Sequence, residues 1–184
     1  MMIAADWVSD VLRFWFEETR PEQWFKKDAA FDESVRRRFV ALHEVLASQP
    51  SEELFGDART ALAAIIVFDQ MPRNMFRDDP HAFATDKKAL GIAIAAVARG
   101  LDEGMTKDER VFCYLPFEHA EDPQSQARCV ALMAVLGDPE LTKWAEAHKA
   151  IIDRFGRFPH RNAILGRPST PEEITFLEEP GSSF

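Results

Sequence analysis

Two stretches of this chain place an Arg-Asn pair just after a proline and among large apolar residues. They are Phe68-Asp69-Gln70-Met71-Pro72-Arg73-Asn74-Met75-Phe76-Arg77 and Arg157-Phe158-Pro159-His160-Arg161-Asn162. A solvated helical arginine needs no such company. A guanidinium held rigid beside aromatics suits a carboxylate or a phosphate, because its planar fork makes two parallel charge-assisted bonds. If a helix runs through Pro72, then Gln70, Arg73, Asn74 and Arg77 share one face, and Pro72 leaves the Phe68 carbonyl without its helical donor. The plain alternative is an intrahelical Asp69–Arg73 pair with Arg77 at the surface, which would contribute only about 0–1 kcal/mol.

From Arg154 to Pro171 the chain carries Arg154, Arg157, His160, Arg161 and Arg167 and no carboxylate. That local excess, in a chain of net charge -9, calls for acids from elsewhere (Asp69, Glu118, Glu121 or Asp122) or for a bound anion. A third polar stretch, Tyr114 to Asp122, supplies Glu118, His119, Glu121 and Asp122 beside Pro116. His119 and His160 are the acid–base candidates near neutral pH, whereas His43, His81 and His148 read as structural or surface residues. No metal is expected, since neither a His-Glu-x-x-His nor a Glu-x-x-His spacing occurs. No glycine-rich phosphate loop or Gly-x-Ser-x-Gly elbow is present either, so no cofactor and no covalent nucleophile are expected.

The elements that must position these groups read as helices throughout. Asp6 is placed to cap a first helix to about Phe16, and Glu17 to Lys27 reads as a turn with Trp24 and Phe25 tucked onto the core. A second helix spans about Asp28 to Ala47, with Phe31, Val35, Phe39, Leu42 and Leu46 on one face. Asp57 opens a third helix into the first polar stretch. Asp79-Pro80 opens a fourth to about Arg99, and Thr106 to Glu109 forms a capping box for a fifth that Pro116 disturbs. Asp122-Pro123 and Asp138-Pro139 start two more, the latter ending at Gly156. Thr170-Pro171-Glu172-Glu173 caps a short last helix before a loose tail, about 180–184. No alternating β-branched run competes. The expectation is an all-α fold, one domain of about eight helices.

The 184 residues suffice for a sizeable core, and 15 Phe with 4 Trp supply its bulk. An excess of 31 acids over 22 Lys and Arg disfavours nucleic-acid binding. Cys113 and Cys129 lie in apolar stretches and read as buried thiols of a reducing compartment. No basic start followed by an apolar run opens the chain, and the apolar stretch Ala89 to Ala98 covers about half of a membrane span. A soluble cytoplasmic protein without membrane partners is expected, and a homo-oligomer is compatible with it.

Several motifs carry a family resemblance. They are Leu12-Arg13-Phe14-Trp15-Phe16 with Trp24-Phe25, Phe68 to Asn74 followed by Arg77, Tyr114-Leu115-Pro116-Phe117-Glu118-His119, and Arg154 to Asn162 with Leu165-Gly166-Arg167 and Ser169 to Glu173. In this order they resemble the mainly bacterial family catalogued as domain of unknown function 924, over nearly the whole chain. The resemblance implies an all-helical fold similar to tetratricopeptide-repeat-like helix stacks, and no settled activity.

The functional expectation is a polar cleft between helices for a small anionic molecule. Arg73, Arg77, Arg157 and Arg161 would hold it, and Gln70, Asn74 and Asn162 would orient it. His119 or His160 would be the acid–base group, with Glu118 or Asp69 fixing its tautomer. Two rivals stand beside it: a helical scaffold that binds an acidic peptide, and an ion network with a purely structural role.

Overall fold

The computed structural model describes residues 6–183, and among these the chain is helical with no strand. No helix among them is long and apolar enough to cross a membrane. The chain divides into two compact units. One runs up to Arg77 and again over His81–Pro116; the other holds Asp78–Pro80 and everything from Phe117 on.

In the first unit, α1 (Trp7–Arg13) continues without a break into a π-turn, Phe14–Glu18. The wide turn closes where the Thr19 amide and hydroxyl both donate to the Phe14 carbonyl, at 3.0 and 2.8 Å. The Asp6 side chain makes no capping bond, contrary to expectation, although Asp6 holds the N-cap position. Pro21 starts a short α2 (Pro21–Trp24), which sends the Trp24 indole N–H to the Trp15 carbonyl at 2.9 Å. Phe25 is not tucked in. It is 71% exposed and stacks on the Phe112 ring.

Helix α3 (Ala29–Ala47) starts where the Asp28 carboxylate accepts from the amides of Ala30 and Phe31. Its stripe Phe31, Val35, Phe39 and Leu46 is buried, and His43 lies on the same face. Asp57 caps α4 (Ala58–Ile65) in the same way. A second π-turn, Ile66–Gln70, then leads into α5 (Met71–Met75). Every residue from Ala61 to Pro72 is buried. Asp79-Pro80 opens only a 3₁₀ turn, Pro80–Phe83, and α6 begins later, at Asp86–Ala98. Helix α7 (Lys107–Glu118) has the Thr106–Glu109 capping box and passes through Pro116 to end at Glu118.

In the second unit, α8 (Pro123–Val135) and α9 (Pro139–Phe155) start at the Asp122 and Asp138 caps and pack along each other. Gly156 ends α9 in the left-handed region, φ 69°, where a side chain would be strained. A loop with one 3₁₀ turn, Pro159–Arg161, leads to α10 (Pro171–Leu177) and its Thr170–Glu173 capping box. Ile151, Ile152 and Phe158 form a core with Phe155 and Phe176 against it. Past α10 the Ser182 hydroxyl is buried and donates to Leu177 O, and Phe184 lies outside the described residues.

Candidate functional site

The first polar stretch follows from what a proline does at the end of a π-turn. Pro72 brings no N–H to the Phe68 carbonyl, and the Thr85 hydroxyl donates to it instead at 2.7 Å. The turn aims the polar side chains beyond it at distant partners. Arg73 lies over the Phe83 ring, donates to the Ala82 carbonyl, and reaches Asp86 at 2.9 Å. Arg77 grips Asp32 with two parallel bonds of 2.6 and 2.8 Å, and Asn74 adds a third at 2.8 Å. Burial pushes the Asp32 carboxyl up, but the Arg77 and Asn74 hydrogen bonds and the charges of Arg77 and Lys27 outweigh it and hold the group below its ordinary value. Asp69 is fully buried and accepts from the adjacent Gln70 amide at 2.6 Å. The intrahelical alternative is not what forms: Arg73 goes to Asp86, and Arg77 is half-buried on Asp32.

The arginines at the end of α9 and beyond it find their acids downstream and in the middle stretch. Arg157 binds Glu173 through Nε at 2.6 Å and Nη2 at 2.8 Å. Arg154 reaches Glu172 at 3.0 Å. Arg167 forks onto Glu121 at 2.6 and 2.9 Å, and the same carboxylate accepts the Phe158 amide at 2.8 Å. Of the acids expected to answer these arginines, Glu121 does so, while Asp122 serves as the α8 cap. Asn162 is committed within the loop: its amide donates to Ser169 and Glu173, and its oxygen accepts from Arg167. Glu173 is drawn down to about 2, first by the Arg157 hydrogen bond, against the opposing effect of burial.

A different arrangement surrounds Phe158, which is fully buried. Arg161, 6% exposed, lies 4.6 Å over its ring and donates to the His119 carbonyl at 3.0 Å. The His148 ring meets Phe158 edge-on at 5.7 Å, and His160 lies tilted at 5.6 Å. His119 stands 6.5 Å from His148. Glu118 brings one carboxylate oxygen to 3.6 Å from His148 Nδ1 and the other to 3.8 Å from the Cys129 thiol. His148 Nδ1 is 2.9 Å from the Trp144 carbonyl, which can only accept, so the proton sits on Nδ1. Burial pulls the His148 pKa down to about 3; the Trp144 bond opposes this, while the charges of His119, Arg161 and His160 add to it. His148 is therefore neutral at pH 7.

Of the expected site residues, Glu118, His119, His160 and Arg161 gather around Phe158 and His148 in the second unit, with Asn162 and Arg157 in the adjoining loop. Asp69, Gln70, Arg73, Asn74 and Arg77 belong to the first unit, with partners of their own there. Sequence reasoning missed His148, placed by its spacing on an ordinary amphipathic helix. It also missed Asp32, Asp86 and Glu173 as acids, because nothing local marks a carboxylate that pairs across tens of residues. The doubled signal at Glu173, an N3 acid facing an arginine-rich loop, was available. Among the described residues no group of three His, Cys, Asp or Glu side chains is arranged to hold a metal ion.

Comparisons with known proteins agree with this architecture. The family model for a bacterial protein of unknown function (DUF924) matches residues 11–181. The structure of ATU0120, a protein of unknown function from Agrobacterium tumefaciens, is similar with a TM-score of 0.87 and 44% sequence identity. The similarity covers 93% of this chain and 96% of that one. A search of curated proteins found no match.

Proposed function

Because the chain belongs to the bacterial family of unknown function DUF924, we propose its function from the side chains alone: the second unit binds a small anionic molecule beside Phe158. The observation that carries this reading is the convergence of one guanidinium and two imidazoles on a single buried ring, with a third imidazole behind them. Arg161 would supply the permanent charge and the fork. His119 and His160 would donate hydrogen bonds and carry protons if the bound anion reacts. His148, neutral with its tautomer fixed by Trp144, suits positioning better than proton transfer at pH 7, and Glu118 would orient it. The buried free thiols support a reducing, cytoplasmic setting.

The test is thermal unfolding with phosphate, sulfate and small carboxylates. A ligand at a hundred times its Kd stabilises by about 2.7 kcal/mol, so a binder gives a melting temperature that climbs with concentration. The climb should vanish in Arg161→Gln and weaken in His119→Gln and His160→Gln, with far-UV circular dichroism unchanged. A wild-type melting temperature flat against every anion would end the reading.

For the first polar stretch a second reading is favoured by a specific observation: Arg73 and Arg77 each close on a carboxylate of the same unit. That supports a structural ion network there, joining α5 to α3 and to the start of α6.

A further inference from the structure

His43 is 8% exposed in the last third of α3 and belongs to no part of the proposed anion site. Its Nε2 lies 3.3 Å from the Thr85 hydroxyl oxygen, and Thr85 sits 2.7 Å from the Phe68 carbonyl. The direction of this chain is fixed by elementary valence. The Phe68 carbonyl only accepts, so the single Thr85 proton points to it. The Thr85 oxygen must then accept from His43, which puts the imidazole proton on Nε2. His43 Nδ1 is left as a bare lone pair, buried and without a hydrogen-bond partner among the described residues.

The ring is walled by Phe68 and Phe76, each edge-on at 5.8 Å. The charged groups acting on it are Glu44 from α3 and Lys88 from α6. Phe76 in turn carries Arg36 over its ring at 5.6 Å and has His81 tilted at 5.8 Å. Burial lowers the His43 pKa; Glu44 opposes and Lys88 adds to the lowering. A second proton would create a buried Nδ1–H donor with no acceptor among the described residues and a cation near Lys88. Water is the acceptor that relieves both, and it reaches the ring only if the contacts around Thr85 and Phe76 open.

We propose that the His43–Thr85–Phe68 relay is an acid-sensitive latch: proton uptake at His43 Nδ1 loosens the tie between α3, the Ile66–Gln70 π-turn and the start of α6. The sign follows from linkage. The open form binds the proton more tightly than the closed one, so the latch is secure above an ordinary histidine value of about 6.5 and weakens below it.

Hydrogen exchange on the full chain, corrected for the intrinsic pH dependence of exchange, tests this. Between pH 7.5 and 5.5, amides at the end of α3, in the π-turn and in the first turn of α6 should lose protection by up to about tenfold, the limit for one proton bound by an open form of ordinary histidine value, about 6.5. His43→Gln keeps a donor and cannot titrate, and its protection should stay flat. An unchanged wild type, or an equal loss in His43→Gln, overturns the proposal. Should that variant fail to fold, NMR of the wild-type His43 ring decides. The Nε2–H tautomer, titrating on the acid side of 6.5 together with the Phe76 ring signals, supports the latch. The Nδ1–H tautomer, or a titration that Phe76 does not follow, overturns it.

Discussion

The Arg73 guanidinium meets Asp86 at 2.9 Å, passing over Asp69 one turn before it for a carboxylate thirteen residues onward. Both partners are largely withdrawn from water, so each is costly to leave alone. Arg73→Ala should lower stability by about 1–3 kcal/mol, as should Asp86→Ala, and the double variant should lose less than the sum. Urea unfolding of the four proteins gives the coupling directly. Strict additivity would mean that the pair contributes nothing.

Thr85 substitutes for the amide that Pro72 lacks. Thr85→Val keeps the shape and strands the Phe68 carbonyl, for an expected loss of about 1–3 kcal/mol. Pro72→Ala supplies an N–H where the ring was, so Thr85→Val should cost less in that background. Equal costs in both backgrounds would show that the loss does not come from the Phe68 carbonyl but from the His43 bond or from packing.

Glu173 is 2% exposed and gathers the Arg157 fork, the Asn162 amide and the Thr170 N–H. Its folded pKa of about 2 lies below the ordinary 4.5, so its contribution is complete above 4.5 and is lost as pH falls toward 2. In Glu173→Gln the acid unfolding profile should lose that component, and stability at pH 7 should drop by about 2–3 kcal/mol. The curve measured by circular dichroism would refute this if wild type and variant differed by a constant at every pH.

His148 gives the same direction from the opposite charge state, since the fold favours its neutral form. With its pKa near 3 in the fold, the unfolded chain takes up a proton first, and stability should decline as pH drops from about 6.5 toward 3. NMR should find the Nδ1–H tautomer at pH 7 and no His148 titration above about pH 5. A midpoint near 6.5 would remove the case for a desolvated imidazole.

Thiol chemistry gives a simpler check. Burial pushes Cys113 up to about 12 and raises Cys129 as well, with Glu118 adding to the latter. Both should resist alkylation at pH 8 in the native state and react freely in denaturant. Rapid native labelling of either would contradict its burial.

What the residues disclosed in advance was mostly local. Asp28, Asp57, Asp122, Asp138 and Thr170 each bond amides two or three positions ahead, a geometry spelled out by adjacent letters. The apolar stripe of α3 was equally readable. Three things were not. Asp79-Pro80 looked like a helix start, but α6 begins only at Asp86, where Asp86 meets Arg73. Both π-turns were invisible, since one extra residue in a turn leaves no compositional mark. The partners of Arg73, Arg77 and Arg157 come from packing between separate elements, which spacing along one helix does not encode.

One residue of surplus in Ile66–Gln70 has a geometric outcome. Each step along an α-helix turns its axis frame by about 100°, so the insertion rotates Met71–Met75 by that amount relative to an uninterrupted continuation of α4. Deleting a single apolar residue there would scarcely change hydropathy, yet it would swing Arg73, Asn74 and Arg77 a quarter-turn or more from the acids they grip. The length of the stretch therefore sets the aim of those three side chains, quite apart from which residues fill it.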